Sequence, residues 1–325
     1  MLPSTKQSLL ASVKRTYPIL AVTTFCMTRS ALPDMHVTTL PKHPKCTVAS
    51  FDRPALHSPR DPRFFGAKCD GMTDDTAAFQ KAMDAGDVIV PARTCVIGHT
   101  VTIKVGNRRM ECAKGAVLKR SVSGAHSMFL YDAADGLMLN NSIVGCTFEG
   151  ANSPKPVVDW DAPGHWDIPV ETSNNVSNFY LAGNTFRQFF GQSMFQTGGA
   201  NGGNGDRVVF NTFENCPLYG PVFVGHRNGY VGYNKIIGCT AGVENDHATD
   251  NTGGNVFECN QVTSGEAPGW ITGGVHGGLG TNYSGNIVRY NVVRGEHTGI
   301  LIEHQGRGRN AKYLENDCGG GCKMR

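Results

Sequence analysis

The chain has 325 residues, 40% of them hydrophobic and 18% charged, with a formal net charge of +3. That apolar content supports a buried core and excludes a disordered chain. The charge is too small and too scattered for nucleic-acid recognition, and no apolar run reaches the roughly 18 residues of a membrane span. The 41 glycines follow no collagen period and therefore mark turns.

Residues 1–60 read as a leader. Lys14 and Arg15 precede "YPILAVTTFCM", which has the order of the charged and apolar parts of an export signal; a flexible leader without a sorting role is the alternative. Eleven cysteines are many for a reducing cytosol and lean towards an oxidising compartment, with buried free thiols as the other reading. Paired Cys-x-x-Cys units of the zinc type are absent, Cys318 and Cys322 having no second pair nearby.

The first folded signal is "FFGAKCDGMTDDTAAFQKAMDAG", residues 64–86. It predicts a short extended piece, a glycine turn and a helix over about 73–86. Thr73 is the expected N-cap, with Asp74 and Asp75 at the positive end of the helix dipole. Ala77, Ala78, Phe79 and Met83 supply an apolar face, and Gly86 ends the helix. "DVIVPARTCVIGHTVTI" then alternates as strands do. A helix in this place covers a strand edge that would otherwise lie open.

From about residue 140 the chain repeats. Asn184, Asn211, Asn234, Asn260, Asn291 and Asn316 each sit beside short β-type runs, at gaps of 27, 23, 26, 31 and 25 residues. That period marks a stacked solenoid, and each repeat reads as one coil of a right-handed parallel β-helix over residues 61–325. Inward asparagines at one turn of successive coils form a ladder that satisfies backbone groups in the turn. Cys216 and Cys239 lie five residues after their asparagines and stack in adjacent coils, as a disulfide or as two thiols.

"FGAKCDGMTDDTAAFQKAMDAGDVIVPARTCVI" resembles the opening segment of pectate-lyase-like β-helix proteins, a group that includes rhamnogalacturonase- and epimerase-like enzymes and phage tailspike depolymerases. The match covers roughly residues 63–105, and the coil repeats extend it to the C-terminus. The resemblance implies an all-β, right-handed parallel β-helix with a short N-terminal capping helix, exported and acting on a polysaccharide as a monomer or homotrimer. The capping segment holds no catalytic residue, so the reaction has to be read from the coils.

Four coils end their strands in "GPVFVGHR", "AGVENDHA", "ITGGVHGG" and "GILIEHQG", which aligns His226, His247, His276 and His304 as a column. Strand parity sends Glu303, Glu244 and Asp246 outward. On this alignment Asp246 and Glu303 share a register two coils apart, about 9.6 Å, against the roughly 6.5–9.5 Å between acid and base of inverting glycosidases. Asp246 and Glu303 are thus the expected carboxylate pair, with His247, His276 and His304 in the catalytic group. Glu244, His226, Arg227 and Arg307 are expected on the substrate. The same parity turns the histidines inward, and a buried stack is the alternative for them. A metal on His247 and Asp246 is a third arrangement that the spacing does not demand.

"VVDWDAPGHWDIPVE", residues 157–171, reads as an inserted loop carrying Trp160 and Trp166, with Trp270 further on in "EAPGWITGG". Exposed aromatic faces stack on sugar rings. The acids of this loop also suit Ca²⁺, although the chemistry requires no cofactor. "GVENDH" and "GGVHGG" resemble the Asn-x-Asp and Gly-His-Gly elements of polygalacturonase-type hydrolases, with Arg307, Arg309 and Lys312 downstream for a substrate carboxylate. The paired aspartates expected one coil later are missing. Hydrolysis leads. A lyase using His226 with Arg227 or His276 with Arg307, a C5-epimerase and a non-catalytic glycan-binding protein stand beside it.

Overall fold

The computed structural model describes residues 40–47, 50–121, 127–134, 136–151, 167–189, 191, 193–198, 202–215, 219–239, 242–246, 253–264, 275–277, 285–295, 302–304 and 312–318. Leu40–Arg325 forms one compact unit. Each coil contributes one short strand to each of three parallel sheets. A representative coil runs from Tyr219–Val224 in sheet 3, through Tyr230–Gly232 in sheet 1, to Lys235–Cys239 in sheet 2, before Gly242–Asp246 returns to sheet 3. Among the described residues, sheet 1 stacks strands from Val88–Val90 to Lys312–Leu314. Sheet 2 runs from Asp70–Asp74 to Val292–Gly295, and sheet 3 from Val101–Ile103 to Ile302–His304.

The inward side chains set the register. Leu118, Phe148, Phe186, Phe213, Ile236, Val262 and Val293 pair in sequence across sheet 2, all wholly buried. Phe148, Phe186 and Phe213 stack face to face at 4.9 Å, with interplanar angles of 4° and 6°. Burying each such ring contributes about 2–3 kcal/mol, so a slip of one residue along the strand is strongly disfavoured.

The predicted asparagine ladder is present from end to end. Oδ1 of Asn211, Asn234, Asn260, Asn291 and Asn316 each accepts the backbone N–H of the asparagine one coil earlier, at 2.9–3.1 Å. Asn184 does the same for Cys146 at 2.8 Å. A second ladder lies five residues upstream. Asn141, Asp206, Asn255 and Asn286 accept the N–H of Arg108, Phe179, Gly229 and Asn255 at 2.8–2.9 Å. Its signal in the sequence is a polar residue just before the β-runs "SIV", "RVV", "VFE" and "IVR".

Helix α1 spans Thr76–Ala85, starting three residues later than the sequence pattern predicts. Asp70–Asp74 is a strand paired with Thr94–Ile97, so Thr73 is not the cap. Asp75 takes the N-cap place but makes no cap bond with its side chain. Its buried carboxylate instead accepts the N–H groups of Lys68, Cys69 and Val96. Ala82 joins Ala78, Phe79 and Met83 on the buried face, while Ala77 is exposed. The helix covers the solenoid's end as expected: Gln80 both donates to Thr102 O (2.8 Å) and accepts from Thr102 N (2.9 Å), imitating a neighbouring strand.

Residues 40–47 and 50–60, expected from the sequence to belong to a leader, lie along the coils. Cys46 is bonded to Cys259, His43 stacks on Tyr290, and Phe51 meets Phe210, Tyr230 and Tyr233 edge-on or tilted. His57 N donates to Asp87, and Arg60 bridges to Val88. This strap therefore runs from the C-terminal coils back to the first. Cys69–Cys95 and Cys112–Cys146 are further disulfides between neighbouring coils, and Cys239 and Cys318 are also disulfide-bonded. Cys216 lies outside the described residues.

Candidate functional site on the outer face of sheet 3

Successive strands of sheet 3 bring one row of positions together. Thr102, Leu130, Glu171, Gln196, Val222, Glu244, His276 and Glu303 are partners in turn across eight strands. The rows on either side face the core, as shown by wholly buried Phe129, Val170, Phe195 and Val243 and by buried Asn245. Only the backbone is described at Asp246, His276, Glu303 and His304.

The pairing corrects the sequence alignment in two places. Asp246 pairs with Val224, whereas Glu303 pairs through His276 with Glu244. The acid in register with Glu303 is thus Glu244, two strands away or about 9.6 Å, and Asp246 is displaced by two residues, about 6.6 Å further along the strand. The four histidines do not form a column. His304 pairs with Gly277, one residue out of step with His276. Val243, Val275 and Ile302 pair in turn, one residue before Glu244, His276 and Glu303. The number of residues from there to the next histidine varies between coils.

His226 is in the core, fully buried, with Nε2 3.1 Å from Asp206 Oδ2 and its ring 4.5 Å from that of Phe223. It is not available to a substrate outside. Gly229 permits this packing, because a Cβ there would meet Phe223 at 2.3 Å and His226 Nδ1 at 2.7 Å. Arg227 is exposed, and its backbone bridges Asn204 and Gly253. Glu244 points outward by pleat yet is only 3% exposed, so the outer face is covered at that point.

The N-terminal half of the row carries acids that the coil alignment does not single out. Burial pushes the Glu171 carboxyl above its ordinary 4.5; the Ser127 hydroxyl, which donates to it, works the other way, and the charge of Asp132 adds to the rise. Asp132 accepts from Ser173 at 3.2 Å and lines an open cavity of about 580 Å³ with Gln80, Asp84, Thr102, Lys104 and Leu130. Asp167, in the segment expected to be an inserted loop, is buried with Arg120 at 3.1 Å and serves the core, and Val170–Thr172 at the end of that segment is a strand of sheet 3. His247, Trp160, Trp166, Trp270 and Arg307 lie outside the described residues, as do the loop acids Asp159 and Asp161 that suit Ca²⁺. Among the described residues one cluster has metal-ligand spacing, Cys69, Asp75 and Cys95, but its sulfurs form a disulfide and its carboxylate takes three backbone N–H bonds.

No family model and no curated relative matches the sequence. Solved structures do. An exopolygalacturonase from Thermotoga maritima superposes with a TM-score of 0.59 at 13% identity, covering 82% of this chain and 74% of that one. PfbA, a surface adhesin of Streptococcus pneumoniae, gives 0.55 at 13% identity over 82% of this chain and 83% of its own. The tailspike of Acinetobacter baumannii phage AM24 gives 0.52 at 17% identity over 81% of this chain, which spans 45% of the tailspike. The fold is a right-handed parallel β-helix, as expected. An exopolygalacturonase, an adhesin and a tailspike thus share this scaffold. Identity at this level carries the scaffold and not the reaction.

No helix among the described residues is long and apolar enough to cross a membrane.

Proposed function

We propose that this protein acts on a carbohydrate polymer at the outer face of sheet 3 and hydrolyses its glycosidic bonds with Glu244 and Glu303. The observation that carries this reading is the shared register of Glu244, His276 and Glu303 on three successive strands. Two carboxylates about 9.6 Å apart by backbone match the roughly 6.5–9.5 Å that leaves room for an attacking water. One carboxyl protonates the leaving oxygen while the other takes a proton from water, and the anomeric configuration inverts. His276, between them, positions the pair. The disulfides Cys46–Cys259, Cys69–Cys95 and Cys112–Cys146 support an extracellular location, where such polymers are met.

Glu244→Gln and Glu303→Gln should each reduce the release of reducing ends from a responsive glycan by about 10²–10⁴-fold. Ultraviolet absorbance of an unsaturated uronate product would point instead to elimination. Exchange of a sugar C–H with solvent without chain shortening would point to epimerisation.

The 3% exposure of Glu244 favours a second reading, glycan binding without cleavage. Under it a panel of acidic and neutral glycans yields no product, and both variants keep full affinity.

A further inference from the structure

A pocket of about 300 Å³ opens between the N-terminal strap and the corner joining sheets 1 and 2. Its walls include Lys42 of the strap and Phe210, Thr212, Tyr233, Lys235 and Gln261 of three consecutive coils. The Cys46–Cys259 disulfide closes one side, so the strap and the coils hold a set spacing.

Two observations point to a ligand. Lys42 and Lys235 are both exposed, and neither ammonium has a carboxylate partner among the described residues. Phe210 and Tyr233 occupy the residue just before a ladder asparagine, where the backbone is left-handed at φ 58° and 57°. Earlier coils place Gly145 and Gly183 there, at φ 72° and 64°, as that conformation favours. An aromatic residue at this corner carries backbone strain. Phe51 of the strap packs on both rings, but Phe210 remains 40% exposed, with its ring 5.4 Å from Tyr233. An exposed phenylalanine and a half-buried tyrosine beside two cations and two neutral polar groups are the composition of a site for a ring-shaped anion.

We propose that this pocket binds an acidic sugar residue of a glycan, its ring against Phe210 and Tyr233 and its anionic group between Lys42 and Lys235. It is an anchoring site on a face other than the outer row of sheet 3, and it rests on the carbohydrate reading above only for the class of ligand. The shared chemistry is an anionic sugar, met as a uronate carboxylate or a sulfate ester.

The test is calorimetric titration of the full chain with a galacturonate trimer, its neutral methyl ester and a sulfated trisaccharide. At least one acidic trimer should bind, the ester should bind much more weakly, and Lys42→Gln/Lys235→Gln should weaken the acidic ligand about tenfold or more. The tighter of the two acidic ligands identifies the source of the anion. Phe210→Ser should weaken binding with both lysines in place. Glu244→Gln/Glu303→Gln should leave binding at this pocket intact, which separates its fate from that of the cleavage reading. Equal binding of acid and ester, equal binding by the lysine variant, or no binding of either acid would overturn the proposal.

Discussion

His226 and Asp206 form a pair in the interior of the solenoid, Nε2 lying 3.1 Å from Oδ2 with neither side chain exposed. Asp206 also accepts the Thr197 hydroxyl at 2.6 Å and the Phe179 N–H at 2.8 Å, and Thr172 donates to Thr197 at 2.8 Å. A polar chain thus crosses the core between sheets 3 and 1. Removing one member strands the others away from water. His226→Ala and Asp206→Ala should each destabilise the fold by about 3–5 kcal/mol, read as lower denaturation midpoints. The double variant should lose less than the sum of the two, because the interaction is shared.

The asparagine ladder predicts a graded loss. Asn234 accepts from Asn211 N and Nδ2 and donates to Val208 O and Asn260 Oδ1, all at 2.8–3.1 Å in a buried turn. Asn234→Ala should lower stability by about 3 kcal/mol, since buried partners lose their bonds. Asn316→Ala, at the part-buried last rung, should lose less. Urea melts of the two variants under one condition make the comparison.

The strap makes a separate prediction. Cys46–Cys259 closes a loop of 213 residues, for which chain entropy alone gives about 5 kcal/mol. Cys46→Ser should lower the melting temperature and open residues 40–57 to limited proteolysis. Cleavage there no faster than in the native protein would show that the aromatic contacts of Phe51 and His43 suffice.

Acid and base limits should respond to two carboxyls in opposite ways. Asp70 is held at about 2, below its ordinary 3.8, first by the Thr73 N–H and then by the Met72 N–H and the Thr73 hydroxyl. The stability it supplies is complete above 3.8 and disappears as pH falls towards about 2. Asp70→Asn should therefore be less stable at neutral pH and show a smaller further loss across that acid window. Glu171 is shifted the other way, chiefly by burial, so the native state holds its proton more tightly than the unfolded chain. Its contribution is present below 4.5 and declines as pH rises through its raised value. Glu171→Gln should flatten that decline in thermal melts followed across pH.

The pairing in sheet 3 marks a limit of linear pattern. Aligning coils on their terminal histidines puts Asp246 opposite Glu303, but the strand pairing runs from Val243 through Val275 to Ile302 and so selects Glu244. A register irregularity between Tyr219 and Val222 separates the coil of His226 further from its neighbours. Histidine spacing does not record either effect.

The order of residues was sufficient for what repeats with the coil, the solenoid and the ladder at Asn184 to Asn316, and for the capping helix that Gln80 seals. These depend on local pattern and a constant strand spacing, which a chain carries in its own period. The tertiary structure alone decided that His226 turns in to Asp206, that Glu244 rather than Asp246 joins the row of Glu303, and that His43 and Cys46 meet coils more than 200 positions away. Those outcomes depend on which groups water leaves and which partners then remain within bonding distance. That competition among distant residues has no period in the sequence.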